Sequence, residues 1–392
     1  MSPDQAMTKA PASPLEAARA LAPLIRQNAD AIEAARELPR PLFEALADAG
    51  MFLLAVPRAL GGTEVDFPLY VEVMEELGKA DASTAWIVNQ VDTYSTYAAR
   101  MAPEVARQIW IDTPRSVVAN SPSPTAQAVV VPGGYRVSGR QGFSTGCKHA
   151  SWISVNAMII ENGAPRLRDG KPEARYFLVP IAEVEIHDTW RARGMRGTGT
   201  HHFSVKDAFV PPERTVFQFG APLVTPGPRY KIPHTPAFAA GDAAIALGLA
   251  RSCLSAFYEL ANEKSPRFQG LLRDQPLTHM SVGQAEAALR SGRAYLMQTV
   301  ADMWKEATTL PAVSMEQRVA MRVATTHAIR LAAQVVDSVY TMAGATAVFE
   351  GNLIQRHFQD MHVITQHLHG RMSYYEMVGQ YWLGLPIDEM RI

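Results

Sequence analysis

A chain of 392 residues is longer than one hydrophobic core usually serves, so two or three packed subdomains are expected. Its 47% hydrophobic and 19% charged residues form an ordinary globular balance with ample material for a core. Lys+Arg 37 against Asp+Glu 38 leaves no basic excess to hold nucleic acid or an anionic membrane, which excludes those partners on electrostatic grounds.

Cys147 and Cys253 are the only cysteines, too few for a disulfide framework or a zinc site, and both are expected reduced in the cytoplasm. The first residues lack a basic start followed by an apolar run, so no signal peptide is expected. The longest apolar segment, Ala237 to Ala250, contains Asp242 and two glycines and reads as too short to span a bilayer.

Three zones follow in chain order. Residues 1–115 read as an N-terminal helical domain, with apolar positions spaced three and four apart in LEAARALAPLI and PLFEALADAGMF. Gly50 and Gly61-Gly62 are stop and turn signals, and Asp81-Ala82-Ser83 caps a helix running through Trp86. Residues 116–221 read as a small β-barrel or sandwich, built from SVVAN, AVVV, GYRVSG, SWISVNAMII, RYFLVP and FSVKDAFVP, with a hairpin turn at Gly133-Gly134. Residues 222–392 open on a Pro-rich connector and return to long helices, predicted over Phe238–Asn262, Met280–Ala307 and from Ser314 to about Met342. Ser314-Met315-Glu316-Gln317 has capping-box spacing. Helices of that length with broad apolar faces predict an antiparallel bundle. No internal repeat is present, and the only low-complexity stretch is the first dozen residues.

Several chemistries lack their motifs. No GxGxxG follows a strand and no GxxxxGK[ST] occurs, so no nicotinamide or triphosphate cradle is expected; GMRGTGT (Gly194 to Thr200) has the wrong glycine spacing. GFSTG (Gly142 to Gly146) matches a hydrolase nucleophile elbow only as a string, since strand-like sequence follows where that elbow needs a helix. His367 and His369, two apart, are expected on different faces of a helix, which argues against a metal pair.

The order of segments carries more. PRALGGTEVDFPLYVEVMEELGKADASTAW, GGYRVSGRQGFSTGCKHASWI, GMRGTGTHHFSVKDAFVPPERT, GDAAIALGLARSCLSAFYELA, SPRFQGLLRDQPLTHMSVGQAEAAL and QRHFQDMHVITQH together resemble the acyl-CoA dehydrogenase superfamily. The resemblance spans roughly residues 40 to 385. It implies a helical domain, a central β-barrel domain and a C-terminal four-helix bundle, mainly α overall. It also implies flavin contacts: Phe143 and Thr145 against the ring, with the Thr145 hydroxyl near flavin N5 and Ser144 its neighbour. Trp152 is implied near the ring, Asn120 and Ser121 in a flavin-contacting loop, and Arg267 reaching a cofactor across a subunit interface. Each has a plain alternative: a β-turn, a core tryptophan, a solvated arginine.

A dehydrogenase of this superfamily needs a carboxylate base shortly after an Arg-Asp pair. Glu350 precedes Gln359-Asp360, the matching pair, so its register is wrong and it reads as a solvated residue. Past Asp360 stand His367 and His369 instead. That resembles the flavin monooxygenase branch, which includes oxygenase components of p-hydroxyphenylacetate hydroxylase, steroid-ring hydroxylase and dibenzothiophene monooxygenase. The resemblance implies FMN or FAD in reduced form, a C4a-hydroperoxyflavin, and a separate NAD(P)H:flavin reductase. It also implies a homotetramer, a dimer of dimers. His367, then His369, are the implied acid–base residues, since imidazole titrates near neutrality. Tyr94 stands where phenol-hydroxylating relatives often carry a histidine, and either touches substrate or packs. The alternatives are an acyl-CoA dehydrogenase or flavin oxidase, and a redox-inactive binding protein.

Overall fold

The computed structural model describes residues 13–217 and 221–392; the low-complexity first dozen residues lie outside them. Six helices come first: α1 (Pro14–Gln27), α2 (Ala29–Ala35), α3 (Arg40–Asp48), α4 (Phe67–Ala80), α5 (Ala82–Ser95) and α6 (Pro103–Trp110). Ser13 caps α1 by accepting from Glu16 N at 3.2 Å, and Asp81 caps α5 by accepting from Thr84 N at 2.7 Å. Every residue of α5 is buried. A helix enclosed on all sides has no water to satisfy its polar groups, so Asn89, Gln90 and Asp92 must find partners within the protein.

Eleven strands follow: β1 (Val118–Asn120), β2 (Ala126–Val131), β3 (Gly134–Ser144), β4 (Trp152–Glu161), β5 (Ala164–Pro165), β6 (Leu167–Arg168), β7 (Lys171–Pro172), β8 (Ala174–Pro180), β9 (Val184–His187), β10 (His201–Val210) and β11 (Thr215–Val216). Their main sheet is mixed, in the order β11-β8-β4-β2-β3-β10-β9, with β1 and β5 also on β4. β1 and β2 run parallel to β4, and the other pairs are antiparallel. The path starts at β11 and ends at β9; closure of these edges into a barrel is not seen among the described residues. Val131 pairs with Gly134 across a two-residue turn in which Gly133 has φ +80°, a left-handed conformation that glycine takes without strain.

The C-terminal helices are α7 (His234–Glu263), α8 (Pro276–Thr309), α9 (Met315–Ala343), α10 (Leu353–Ile364) and α11 (Ser373–Trp382). α7 packs on α4, α5, α8, α9 and α10 and is the spine of the molecule. At 30 residues it is long and apolar enough to cross a membrane, against the expectation from its short apolar core. What places it is burial: 89% of its most apolar window lies inside the fold. Ser314 caps α9 by accepting from Gln317 N at 3.2 Å. The reciprocal half of the capping box is missing, because Gln317 Nε2 donates to Thr299 O (2.9 Å) and Glu306 takes Ser314 N (2.8 Å) instead.

Candidate active site

A cavity of about 350 Å³ lies where α5, the ends of β1 and β3, the segment before β10, α7 and the end of α10 converge. α5 supplies Trp86, Gln90 and Tyr94, spaced four apart and therefore in one stripe. The β domain supplies Asn120, Phe143 and Thr145, then Trp190, Met195, Thr198 and Thr200. α7 gives Phe238, and the stretch after α10 gives Gln366, His367, Leu368 and Arg371. No carboxylate is among the described lining residues.

His367 and His369 do not sit on an α-helix. α10 ends at Ile364, His367 takes φ −63° and ψ 151°, and Leu368–Gly370 form a 3-10 turn. Arg330 fastens the turn by donating to the carbonyls of Gly370 (2.6 Å) and Thr365 (3.4 Å). Both imidazoles consequently face one carboxylate, contrary to the helical expectation. His369 Nδ1 lies 2.8 Å from Asp242 Oδ2, hydrogen-bonded, while His367 Nδ1 lies 2.9 Å from the same oxygen without the alignment of a hydrogen bond. The three side chains also form a metal-like donor set, with donor atoms within 4.8 Å of one another. As seen, their Nδ1–Oδ2 separations are those of direct contacts.

Asp242 is fully buried in α7. Its other oxygen accepts from Asn89 Nδ2 at 2.8 Å, and Tyr70 orients that amide by donating to Asn89 Oδ1 at 2.7 Å. Burial alone would raise the Asp242 carboxyl; the neighbouring imidazoles, His367 foremost, outweigh it and hold the group below its ordinary range. An ionised Asp242 asks for N–H at each Nδ1, leaving Nε2 of His367 as the basic nitrogen on the cavity side. His369 is 1% exposed, does not line the cavity, and is pushed down to about 3 by burial. Trp86 and Phe238 hold the His367 ring edge-on, with centroids 5.1 and 5.6 Å away.

The loop containing GMRGTGT is pinned from three sides. Asp360, on α10, accepts from Met195 N; burial drives its carboxyl well toward the neutral acid. His201 Nδ1 accepts from Thr189 N (3.2 Å) and Trp190 N (3.1 Å), and Trp190 Nε1 donates to Met195 O at 2.9 Å. Gly194 is required here, since a Cβ on it would stand 2.2 Å from Gln359 O. The loop presents three hydroxyls: Thr198 Oγ1 donates to Met195 O (2.8 Å), Thr200 Oγ1 lies 2.7 Å from Thr198 Oγ1, and Thr145 Oγ1 lies 2.9 Å from Thr200 Oγ1. Each hydroxyl carries one proton. Thr198 spends its own on a carbonyl, so Thr200 donates to Thr198 and Thr145 donates to Thr200. Thr145 is left with lone pairs only.

Of the other expected residues, Phe143 lines the cavity, 65% exposed, at φ +60°. Asn120 lines it with a buried Nδ2 that has no partner. Tyr94 lines it as a neutral phenol, burial raising it to about 12, its hydroxyl 3.5 Å from Tyr176. Ser144 is buried off the lining with an unpartnered Oγ, and Ser121 is occupied donating to Gly142 O at 2.8 Å. Trp152 packs in a core cluster with Tyr94, Tyr97 and Tyr176, off the lining. Arg267 is exposed over the ring of Phe268, away from this cavity. Glu350 is exposed in a turn, also away from it. Sequence reasoning missed Asp242, Asn89, Gln90, Trp190 and Phe238. The available signal was a lone acid within an apolar helix, which must be paired to be buried.

The cavity wall thus combines an orphaned buried amide at Asn120, an acceptor-only hydroxyl at Thr145 and the rings of Phe143 and Trp190. Models of the acyl-CoA dehydrogenase N-terminal and C-terminal domains match residues 15–113 and 240–371. The oxygenase subunit HsaA of a flavin-dependent monooxygenase from Mycobacterium tuberculosis (strain ATCC 25618 / H37Rv) is 30% identical over 377 residues, covering 93% of this chain and 94% of that protein. Indole-3-acetate monooxygenase of Pseudomonas putida is 28% identical over 381 residues, covering 96% of each. The crystal structure of 3-HSA hydroxylase from Rhodococcus sp. RHA1 superposes with a TM-score of 0.89 at 26% identity, covering 97% of this chain and 100% of that one. The chain belongs to the flavin-dependent monooxygenases built on the acyl-CoA dehydrogenase fold.

Proposed function

We propose that this chain is the oxygenase component of a two-component system, taking reduced FMN or FAD from a separate NAD(P)H:flavin reductase. Its substrate is a small aromatic or heteroatom-containing molecule, and it works in the cytoplasm. The observation that carries the reading is the pairing, around one largely apolar cavity, of an acceptor-only Thr145 with the Asp242–His367 contact.

Reduced flavin, when bound, supplies the electrons that activate O2, and its N5 carries a proton. Phe143, Thr145, Asn120 and Trp190 are the residues that would hold it; an acceptor at Thr145 suits a protonated N5 and disfavours an unprotonated one. The Asp242 carboxylate beside Nδ1 of His367 favours a proton there, and Nε2 of His367 takes a proton from the substrate or returns one. The His369 ring supports Asp242 from behind and has no opening to the cavity. Trp86, Phe238 and Tyr94 exclude water. α-Proton abstraction from a thioester lacks its base, because no carboxylate lines the cavity among the described residues.

The test is anaerobic loading with reduced flavin, mixing with 18O2 and an aromatic panel, and mass spectrometry of the products. One 18O per product supports the reading; reduction of bound oxidised flavin by an acyl-CoA defeats it. Assembly as a dimer of dimers through the C-terminal bundle, with Arg267 serving a neighbour's flavin, completes the proposal. Light scattering that returned a monomer at micromolar concentration would remove that part alone.

A further inference from the structure

A second cavity, of about 220 Å³, lies between the end of α5 and the segment leading into α7. Arg100, Arg229, Lys231 and His234 line it, and no carboxylate does. Arg229 is 2% exposed. Its guanidinium lies over Phe67 and Tyr70, 4.8 and 4.5 Å from their ring centroids, and its Nε and Nη1 have no hydrogen-bond partner. The Tyr97 hydroxyl and His234 Nδ1, on the same lining, are also buried and unpartnered.

The other two cations are bonded only to neutral groups. Arg100 donates to Ala221 O and to Tyr230 O (3.1 Å), and Lys231 donates to Leu310 O at 2.9 Å. None of the three is in an ion pair among the described residues. Asp92 is the carboxyl that Arg229 feels; burial raises it, its Oδ1 accepts a long bond from Ala55 N at 3.4 Å, its Oδ2 is unpartnered, and the two side chains form no ion pair among the described residues. Arg229 also lines a separate cavity with Glu64 and Asp66, and neither is in an ion pair with it among the described residues. His234, pushed down to about 4 by burial, adds no charge at neutral pH. A buried guanidinium outside any ion pair is costly, and orphaned buried donors are rare enough to need an explanation.

We propose that this cavity binds the carboxylate of a small organic acid. Arg229 and Tyr97, lining residues with unpartnered donor atoms, are the donors this assigns, Lys231 and Arg100 add positive potential, and Ile232, Pro233 and Ala237 accommodate an apolar remainder. Only one layer of rings separates it from the flavin cavity. Tyr94 and Phe238 line that first cavity and meet His234 edge-on, at 4.9 and 5.8 Å between centroids. The acid is therefore either the far end of the substrate or a free acid bound beside it. The binding claim does not rest on the oxygenase reading.

Calorimetric titration of the full chain with sodium benzoate at fixed ionic strength, without flavin, tests it. Benzamide serves as the neutral isostere and inorganic phosphate as the alternative anion. The expected result is saturable benzoate binding, none by benzamide, weaker binding of phosphate, and ~tenfold weaker benzoate binding in both Tyr97→Phe and Lys231→Gln. Those two variants keep the test valid if Arg229→Gln loses its ring contacts and fails to fold. Equal binding of benzamide, phosphate matching benzoate, or wild-type affinity in both variants overturns the proposal. In turnover assays, benzoate competing with an aromatic substrate assigns the cavity to the substrate's own acid, and benzoate binding without competition assigns it to a free one.

Discussion

Asn89 Nδ2 donates to Asp242 Oδ1 across 2.8 Å, and this contact exists only because the residue before Asp242 has no side chain. A Cβ on Gly241 would stand 1.9 Å from Asn89 Oδ1, an atom held in place by Tyr70. Gly241→Ala is therefore expected to destabilise the fold by about 1–3 kcal/mol, as overpacking of a filled core does. Urea unfolding measures it, and a loss under 0.5 kcal/mol would mean that Asn89 moves aside freely.

His367→Ala is expected to leave flavin binding nearly intact while separating flavin oxidation from product formation. Reduced flavin is still consumed and H2O2 released, while oxygenated product falls by roughly 100-fold, the range for losing a positioned acid–base group. Asp242→Asn should shift the pH profile of product formation, because the tautomer of His367 is no longer fixed; a parallel fall at every pH would assign Asp242 to stability alone. Full coupling in His367→Ala would make the histidine structural.

Thr198→Val removes the hydroxyl whose proton polarises the threonine chain. Thr200 then loses its acceptor, Thr145 is free to donate, and the preference for reduced over oxidised flavin is expected to fall by roughly tenfold, about one hydrogen bond. Fluorescence titration with oxidised flavin and anaerobic titration with reduced flavin give the ratio. An unchanged ratio would show that the chain does not set redox preference.

Much of the fold was readable because helix caps and strand runs are local: Asp81, Ser314 and Gly133 mark boundaries by their own chemistry. Phe143 and Thr145, named through the resemblance, do line the cavity. What stayed hidden depends on contacts between distant segments. The partner of Asp242 in α7 lies on α5 and in the turn after α10, and no spacing rule connects them. The two histidines were misplaced for the same reason. Arg330, far away on α9, holds their turn out of helical form.

His357 gives a test of linkage. It is fully buried, its Nε2 3.0 Å from Ser252 Oγ and its Nδ1 unpartnered, and burial pushes it down to about 3. The unfolded chain protonates this group below about pH 6.5 and the folded protein does not, so stability is lost as pH falls from there toward 3. Relative to His357→Gln, the wild type should lose about 2 kcal/mol more between pH 7 and pH 5. Equal losses, measured by denaturant unfolding at both pH values, would place the His357 titration near its ordinary position.

The enclosure of α5 has a practical consequence for altering what the enzyme accepts. Trp86, Gln90 and Tyr94 form one stripe of that helix and face the cavity, while none of its residues faces solvent. Exchanging these three for smaller or larger side chains redraws the chamber without touching the exterior, so solubility and surface charge stay constant across a library. The same enclosure means that each exchange must be absorbed by a neighbour in the interior. Variants at these positions should thus sort by packing, with paired large-to-small and small-to-large changes surviving where single ones do not.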